Sequence, residues 1–357
     1  MADVTLRNIT KRFKTVTALK GVSFDVKDGE FFVLLGPTGA GKTTTLRVIA
    51  GLERQDEGNV LFDGEPVDHL TPSERDVAFV FEQYSLYPTM TVYENLAFPL
   101  RSPLRRTSEQ TIRQRVEETA EKLRISPLLE RTTAHLSGGE MQRVALGRAL
   151  VRDPQIFLMD EPLSNLDAKL REALRVELEH LQRTEGSTTL FVTHDQIEAL
   201  TMGDRIGVLN KGRIIQIGTP EDIYDQPATT FVAQLVGTPR INLVEASREN
   251  DTLYVTNSTI HLPIPAGDNL PPTFLLGVRP EDVQIHSEGD FPGQISLIEP
   301  LGVQTILHIN SGEQILLSLI PGMTDLRIGD QVRFSIIRER LHYFQSDGTR
   351  ISIERKT

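Results

Sequence analysis

A glycine-rich turn, GPTGAGKTT at residues 36–44, follows the apolar run EFFVLLG and restricts the chain to a small number of folds. It fits the pattern G-x-x-x-x-G-K-[ST] and comes between a predicted strand and a predicted helix. Glycines allow backbone N–H groups to converge on phosphate oxygens, and the start of a helix adds positive potential. We therefore predict a phosphate loop, which consists of Gly36, Pro37, Thr38, Gly39, Ala40, Gly41, Lys42, Thr43 and Thr44.

The loop is expected to bind a nucleoside triphosphate together with Mg²⁺. Lys42 is expected to reach the β- and γ-phosphates, and the Thr43 hydroxyl to bind Mg²⁺. Asp160 and Glu161 end the apolar run IFLMDEP, and open α/β sheets bind ligands at the carboxyl ends of their strands. Asp160 is predicted to hold Mg²⁺ through water, and Glu161 to orient and polarise the attacking water. The alternative is a solvated carboxylate pair.

A histidine ends another predicted strand, TTLFVTHD, at position 194. At the carboxyl edge of a sheet that carries a phosphate site, His194 can bond the γ-phosphate and hold Glu161 and the water in line. The alternative is a purely structural histidine.

Residues 1–236 alternate strand and helix signals, which predicts an α/β domain of the P-loop nucleotide-hydrolase type with a mostly parallel sheet. Between about 88 and 150 strand signals are scarce, and this segment is predicted to be a helical insertion. Within it, Ile112, Val116, Ala120 and Leu123 have the spacing of one helix face. The predicted strands are the runs at 30–36, 76–81, 155–161, 188–194 and 205–210.

The pattern changes after residue 236. Short alternating runs such as TFLLGV, QISLIE and TILHIN are separated by Gly, Pro, Asn and Asp. NSGE at 310–313 and SDGT at 346–349 are typical of hairpin turns. Closely spaced strands without helices predict a small β-barrel or sandwich over 237–357.

A second anion site is predicted at LSGGE, where Ser137, Gly138 and Gly139 begin a helical pattern. Ser137 is a good N-cap, and capping alone is the alternative. Capping does not require two glycines, however, and these leave backbone N–H groups accessible. The phosphate loop already cradles one triphosphate, so we infer that this segment holds the γ-phosphate bound by another copy. ATP would then lie between two subunits.

Taken together, GPTGAGKTT, LSGGE, IFLMDEP, SNLD and FVTHD follow the order found in ABC-transporter ATPases, which the whole chain resembles. GTPRINLVEA, LGVRPEDV and LHYFQSDGTRI are similar to the C-terminal, OB-like barrel of ATPases from maltose-type sugar importers. The resemblance implies that Phe13 stacks on adenine and that Asp167 lies in a loop crossing the dimer interface. Phe13 as a core residue and Asp167 as a helix cap are the alternatives.

Two positions depart from the pattern of that family, which normally has glutamine at both. Glu82 stands at the start of the lid loop, residues 82–87. A carboxylate there can still bind Mg²⁺, but it adds negative charge near a triphosphate. Glu140 ends the signature segment, residues 137–140. Its carboxylate can accept a hydrogen bond from a ribose hydroxyl across the dimer. Neither glutamate is expected to abolish activity.

The composition limits the choice of partners. The net charge is −11, so the chain lacks the overall excess of basic residues that proteins binding nucleic acid normally have. A nucleic-acid partner is therefore not expected. The chain has no cysteine, and its apolar runs are far shorter than the roughly 20 residues of a membrane span. No secretory signal is apparent, so a cytoplasmic location is expected.

The resemblance then implies an ATP-hydrolysing importer subunit at the cytoplasmic face of the membrane. Its expected partners are a second ATPase subunit, a permease and, indirectly, an extracytoplasmic binding protein. In the family, residues 82–100 receive a short permease helix; ordinary packing is the alternative. The expected cargo is a sugar, with iron, sulfate or polyamines as alternatives.

Other classes of protein remain as alternatives. An ABC ATPase of DNA repair or translation normally has coiled coils or two nucleotide-binding units, and neither is visible. A P-loop kinase or GTPase leaves LSGG unexplained, and NKGR at 210–213 lacks the Asp of a guanine-reading motif. A non-hydrolysing sensor is the fourth possibility, which an ATPase assay tests.

Overall fold

A computed structural model describes residues 1–102, 107–264 and 270–352. The chain divides into two compact units, residues 1–220 and residues from 221 onward. The boundary predicted from sequence, after residue 236, lies further along the chain and stays a prediction.

The first unit contains ten strands and six α-helices among its described residues. The strands are β1 (Val4–Phe13), β2 (Val16–Val26), β3 (Phe31–Leu35), β4 (Glu57–Phe62), β5 (Glu65–Pro66), β6 (Ala78–Val80), β7 (Phe157–Asp160), β8 (Thr189–Thr193), β9 (Arg205–Asn210) and β10 (Arg213–Gly218). The helices are α1 (Lys42–Ile49), α2 (Val92–Ala97), α3 (Glu109–Lys122), α4 (Gly138–Leu150), α5 (Ala168–Glu185) and α6 (Gln196–Met202).

The central sheet has the order β10-β9-β3-β8-β7-β6. All neighbours are parallel except β9 and β10. The five predicted apolar runs contain β3, β6, β7, β8 and β9, so the mostly parallel sheet is confirmed. Three adjacent strands, β3, β8 and β7, end at one edge of the sheet, where the phosphate loop follows β3, His194 follows β8 and Asp160 is the last residue of β7.

A second sheet in this unit, of order β2-β1-β4-β5, was not predicted. Its pairings are antiparallel, and β1 pairs with β2 through several register shifts. These irregularities break the strict alternation that identifies a half-buried strand. The buried residues Val4, Leu6 and Ile9 belong to the same core as Leu46 and Ile49 of α1, so this sheet supports the helix that follows the phosphate loop.

The predicted helical insertion contains α2, α3 and α4, together with 3₁₀ helices at Phe98–Arg101, Ser126–Leu128 and Thr133–His135. Residues 103–106 of the predicted segment lie outside the described residues. The helix face inferred from spacing is confirmed, because Ile112, Val116, Ala120 and Leu123 are all buried.

The second unit begins with two short helices and continues as a β-domain. Its elements are α7 (Pro220–Asp225), α8 (Thr230–Leu235), β11 (Asn242–Glu249), β12 (Thr252–Val255), β13 (His261–Pro263), β14 (Thr273–Val278), β15 (Val283–Ile285), β16 (Phe291–Pro300), β17 (Gln304–Ser311), β18 (Gln314–Pro321), β19 (Gln331–Ile336) and β20 (His342–Phe344), with 3₁₀ helices at Pro280–Asp282 and Arg338–Arg340.

Two five-stranded antiparallel sheets, β13-β12-β11-β14-β20 and β15-β19-β16-β17-β18, share one core in this domain. The second sheet nearly closes on itself, because Ser318 Oγ on β18 donates to the carbonyl of Val283 on β15 at 2.6 Å. The predicted barrel is therefore confirmed, and so is the hairpin at NSGE, which joins β17 to β18. Among the described residues, no helix has the length and apolar character needed to cross a membrane.

Candidate functional site

The phosphate loop connects β3 to α1, and close contacts require glycine at two of its positions. A Cβ atom on Gly36 would lie 2.2 Å from the carbonyl oxygen of Leu209, and one on Gly41 would lie 2.8 Å from that of Ala18. Gly41 also has φ +111° at the N-cap of α1. Only glycine meets both demands, so the turn has the form that an oxyanion cradle needs. Of its other members, Ala40 is buried, Thr38 and Gly39 are exposed, and Pro37, Thr43 and Thr44 are half-buried.

Lys42 is buried, with 4% of its surface exposed, and its ammonium group folds back over the loop. Nζ donates to the carbonyl oxygens of Gly36 at 2.9 Å and Pro37 at 3.2 Å. It also lies 3.1 Å from Oε1 of Glu161. The structure thus brings the predicted phosphate-binding cation next to the predicted water-polarising carboxylate.

Thr43 and Asp160 meet at the start of α1. The Thr43 hydroxyl donates to Oδ1 of Asp160 at 2.9 Å, across a sequence separation of 117 residues. Burial raises the pKa of Asp160, while the Thr43 hydrogen bond lowers it and the charges of Glu161 and Glu82 raise it. Lys42 neutralises part of the charge at Glu161, and Arg47 lowers the pKa of Asp160, but the net pKa of Asp160 is still raised, so a cation bound beside it would favour its ionised form.

Glu161 and His194 form a direct pair. Nδ1 of His194 donates to Oε2 of Glu161 at 2.6 Å, so the carboxylate joins His194 on one side to Lys42 on the other. Glu161 has φ +44°, a conformation that is uncommon for residues other than glycine and that concentrates at functional sites. The predicted grouping of Lys42, Asp160, Glu161 and His194 is thus present in space.

A buried glutamate behind His194 was missed in the sequence. Thr193 Oγ1 donates to Oε2 of Glu198 at 2.5 Å and accepts the N–H of Asp195 at 2.9 Å. These bonds fix the residues on both sides of His194. The signal was available, because Asp195 is an N-cap and Glu198 stands three residues later.

Glu82 lies on the exposed side of this pocket. Its backbone carbonyl accepts a hydrogen bond from Nδ2 of Asn165 at 3.0 Å, which ties it to the segment that precedes Asp167. Its charge acts on Asp160, although its side chain is exposed. Among the described residues no three His, Asp or Glu side chains converge as a metal site, so a cation here would take further oxygens from nucleotide and water.

The signature segment, residues 137–140, forms a complete capping box at the start of α4. Oε2 of Glu140 accepts the N–H and the Oγ–H of Ser137, both at 2.8 Å, and the Glu140 N–H donates to Ser137 Oγ at 3.4 Å. These bonds lower the pKa of Glu140. In this chain, Ser137 and Glu140 satisfy each other and are not hydrogen-bonded to the phosphate loop.

The two signature glycines differ in their surroundings. A Cβ atom on Gly139 would lie 2.5 Å from Cδ2 of Leu170, whereas one on Gly138 would meet nothing closer than 3.6 Å, at Tyr84 Oη. Packing of α4 against α5 is therefore a second reason for glycine at 139, beside the expected approach of a phosphate.

The position of Asp167 agrees with both interpretations given for it, whereas that of Phe13 agrees with one. Asp167 caps α5 by accepting the Leu170 N–H at 3.1 Å, and its side chain is exposed. Phe13 ends β1 with 41% of its surface exposed, so it is not a core residue. Lys11 Nζ lies 4.8 Å from the centroid of its ring.

A groove of about 760 Å³ lies in the same unit, beside the lid loop. Its walls are largely apolar, and the rings of Tyr87 and Phe98 pack with centroids 4.6 Å apart. Tyr87, Phe98 and Leu52 each leave more than a third of their surface exposed. Apolar and aromatic residues on its walls include Leu52, Phe79, Phe81, Tyr87, Phe98 and Pro99.

Comparison with protein families gives two matches. Residues 19–164 match the ABC transporter family, and residues 276–344 match the TOBE domain. The first range contains the phosphate loop, the signature segment and the Asp160–Glu161 pair, and the second lies in the β-domain.

Curated relatives match over nearly the full length. The trehalose/maltose import ATP-binding protein MalK of Thermococcus litoralis is 44% identical over 96% of this chain and 98% of its own length. The sn-glycerol-3-phosphate import ATP-binding protein UgpC of Cereibacter sphaeroides is 44% identical over 97% of this chain and 99% of its own. The alpha-glucoside transport ATP-binding protein AglK of Rhizobium meliloti is 42% identical, with 98% and 99% covered.

Among solved structures, the dimeric post-hydrolysis state of the ATP-binding cassette MJ0796 with ADP and Pi is 34% identical, with a TM-score of 0.55. The match between the two structures covers 61% of this chain and 98% of the cassette. The agreement of motifs, site geometry, full-length relatives and fold leads to one conclusion. The chain belongs to the ABC transporter ATP-binding proteins, as the ATPase subunit of an importer of the MalK and UgpC type with a C-terminal TOBE domain.

Proposed function

We propose that this subunit hydrolyses ATP in the pocket formed by the phosphate loop, Asp160, Glu161 and His194, and that hydrolysis drives the import of a sugar. The observation that carries the site assignment is the position of Glu161, whose two oxygens contact Lys42 and His194. A carboxylate held in this way next to a phosphate cradle can orient and polarise a water molecule. Catalysis then depends on positioning and charge neutralisation.

The other residues of the pocket hold the nucleotide. Backbone N–H groups of the phosphate loop, except at Pro37, which has none, bond the phosphates, and Lys42 exchanges its carbonyl contacts for phosphate oxygens. Phe13 stacks on adenine with the exposed face of its ring. His194 bonds the γ-phosphate through the nitrogen that does not face Glu161.

The donor set at Thr43 and Asp160 fits Mg²⁺, which prefers oxygen ligands. The raised pKa of Asp160 is consistent with this, because a buried carboxylate beside other carboxylates gains most from a cation. Mg²⁺ would neutralise charge on the phosphate oxygens. Thr43 and Asp160 would hold it, and Glu82 contributes from the exposed side.

We further propose that two subunits enclose the nucleotide. Ser137, Gly138, Gly139 and Glu140 of one subunit would face the phosphate loop of the other, with Asp167 near the interface. A bacterial ABC transporter cassette with 34% identity has been solved as a dimer, which supports the association of two subunits. To bind phosphate, the Ser137 hydroxyl must leave Glu140, to which it now donates.

Light scattering of the Glu161→Gln protein with saturating ATP tests this assembly. We expect dimers with ATP and monomers without it, and Lys42→Ala in the same background is the control that should stay monomeric. A Glu161→Gln chain that binds ATP and remains monomeric would contradict the shared site.

Mixing two inactive variants gives a second test. When Lys42→Ala and Ser137→Ala chains pair, one pocket has both defects and the other has neither. Phosphate release should therefore reappear in the mixture, above the level of either parent. Release that never exceeds the parents argues against pockets built from two chains.

The sugar assignment is supported by two relatives, MalK, a trehalose/maltose import ATP-binding protein, and AglK, an alpha-glucoside transport ATP-binding protein. Glycerol 3-phosphate is the second candidate, because UgpC is equally similar. Purifying the transporter with its binding protein, then measuring ATP turnover with maltose, trehalose or sn-glycerol 3-phosphate, distinguishes the two. Stimulation by glycerol 3-phosphate alone would overturn the sugar proposal.

The apolar groove fits a short helix of the permease, which would place this subunit at the cytoplasmic face of the membrane. Leu52→Ala and Phe98→Ala should reduce the amount of permease that co-purifies. Val176→Ala, at an exposed apolar residue outside the groove, is the matched control. Equal recovery for all three variants would argue against docking at this groove.

A further inference from the structure

The lid loop, residues 82–87, has a disfavoured backbone. Tyr84 and Ser85 are consecutive residues with φ +54° and +51°, in the left-handed region that side chains other than glycine rarely adopt. Such a turn persists only where its surroundings hold it. The loop begins at Glu82, whose charge acts on Asp160, so its shape affects the catalytic pocket.

Arg148 on α4 holds this turn. Nη1 donates to the carbonyl oxygen of Ser85 at 2.7 Å, and Nη2 donates to that of Tyr84 at 3.2 Å. The guanidinium carbon also lies 5.7 Å from the centroid of the Tyr87 ring. Burial lowers the pKa of Arg148, so its charge is poorly solvated and the two carbonyls matter to it. One side chain thus fixes both left-handed residues.

The helix that carries Arg148 also carries the signature segment. Arg148 lies ten residues beyond Gly138, about 15 Å along a continuous helix. At the other end, Tyr84 Oη approaches Gly138, because a Cβ atom there would lie 3.6 Å from it. The lid loop therefore meets α4 both at Arg148 and at the signature segment.

Arg148 also lines the groove, together with Ser85 and Tyr87. A helix seated in the groove would contact the side chains that hold the lid loop. A shift of Ser85 would change a carbonyl bond of Arg148, and a shift of Tyr87 would change the ring against which the guanidinium lies. Because α4 is a single helix with Ser137 as its N-cap, a displacement of Arg148 would be carried along it toward Ser137.

We propose that Arg148 is a positioning residue that couples occupation of the groove to the placement of Glu82 and the signature segment. This inference rests on the proposed function, in which the groove binds the permease and the pocket binds ATP. In this role Arg148 needs no contact with the nucleotide or the attacking water. It acts through the lid loop and α4.

Coupling between two sites is reciprocal, so bound ATP must also change the groove. The chain has no cysteine, and a single Ser73→Cys on the groove wall can carry an environment-sensitive fluorophore. The full-length chain is labelled in a Glu161→Gln background, and ATP binding is measured separately with a fluorescent ATP analogue. The signal is the change in label fluorescence on adding MgATP.

Arg143→Ala is the matched control. Arg143 lies on the same helix and also donates to a backbone carbonyl, that of Leu123 at 3.0 Å, but it does not line the groove. The MgATP-dependent change should be retained in Arg143→Ala and lost in Arg148→Ala. Arg148→Lys keeps the charge but bonds one carbonyl at a time, so it should restore part of the signal.

Turnover gives a second readout in chains with Glu161 intact. In Arg148→Ala, kcat should fall about tenfold, or about 1.4 kcal/mol, while KM for ATP is unchanged. A purely structural defect would also alter ATP binding or the thermal stability.

Equal fluorescence changes in Arg148→Ala and Arg143→Ala would overturn the inference. The inference would also be overturned if the labelled Glu161→Gln, Ser73→Cys parent bound MgATP and the fluorescence of its label did not change. If the parent binds no ATP, the proposed nucleotide site itself fails, so the ATP-binding measurement separates the two.

Discussion

His194 Nδ1 and Glu161 Oε2 lie 2.6 Å apart, and this hydrogen bond positions the carboxylate whose other oxygen contacts Lys42. Replacing Glu161 with glutamine preserves the shape of the side chain and removes its charge. We expect kcat to fall by about 10²–10⁴-fold, because a positioned base contributes that much, with ATP binding retained. Phosphate release and equilibrium ATP binding measure the two effects.

Glu172→Gln, at an exposed glutamate on α5, is the control and should leave kcat unchanged. If Glu161→Gln kept more than a tenth of the parent kcat, the assignment of Glu161 would be wrong.

Glu82 should affect how kcat/KM for ATP hydrolysis falls on the acid side of its pH profile. Burial raises the pKa of Asp160, and the charge of Glu82 is one of the causes that raise it further. In Glu82→Gln this repulsion disappears, so Asp160 stays ionised to lower pH. The acid limb of kcat/KM should move to lower pH, with turnover near neutrality preserved. An unmoved limb, or a loss of turnover at pH 7.5, would contradict this prediction.

Glu140→Gln tests the capping box at the signature segment. The carboxylate accepts two hydrogen bonds from Ser137, and a neutral amide accepts them less strongly. We expect a loss of about 0.5–1 kcal/mol in the free energy of unfolding. ATP-driven dimerisation of the Glu161→Gln background should become several-fold tighter, because a negative charge next to the incoming γ-phosphate is removed.

Urea denaturation and light scattering follow these two effects, with Glu117→Gln on the exposed face of α3 as the control. Weaker dimerisation of Glu140→Gln would show that the carboxylate aids the contact across subunits.

Asp282 should make the stability of the β-domain depend on pH. It is almost fully buried, and burial raises its pKa to about 6 from an ordinary value of 3.8. The folded state binds this proton more tightly than the unfolded chain, so the stabilisation is present below pH 4 and lost as the pH rises through 6. Between pH 4.5 and 7.5 the loss is about 2 kcal/mol.

Asp282→Asn should remove that part of the pH dependence in urea denaturation of the full chain, followed by circular dichroism. Asp251→Asn, at an exposed turn residue, should behave like the parent. If the free energy of unfolding changed with pH by the same amount in all three proteins, Asp282 would be excluded as the titrating group.

The sequence allowed prediction of features that depend on neighbours along the chain. The phosphate loop, the Asp160–Glu161 pair and His194 each follow a short apolar strand, and the order of strands in a parallel sheet brings them together. The contacts that were missed join distant residues. Arg148 bonds Ser85, which is 63 positions away, and Leu170 limits the side chain at Gly139. No local pattern encodes such pairs, because Arg148 and Leu170 are of types common on any helix and their partners are far away along the chain.

Gly139 has two possible reasons for being glycine, and one pair of substitutions separates them. In Gly139→Ala the new Cβ would lie 2.5 Å from Leu170 Cδ2, so we expect lower stability and lower turnover. Leu170→Ala in the same chain removes the obstructing methyl group. If packing alone requires glycine, the double variant should recover the turnover of Leu170→Ala, and the coupling free energy should be at least 0.5 kcal/mol, about the threshold for residues in contact. If the close approach of a phosphate requires it, the double variant should regain stability in urea denaturation but not turnover. We expect the second result, because α4 begins at the segment that the other subunit's nucleotide would meet.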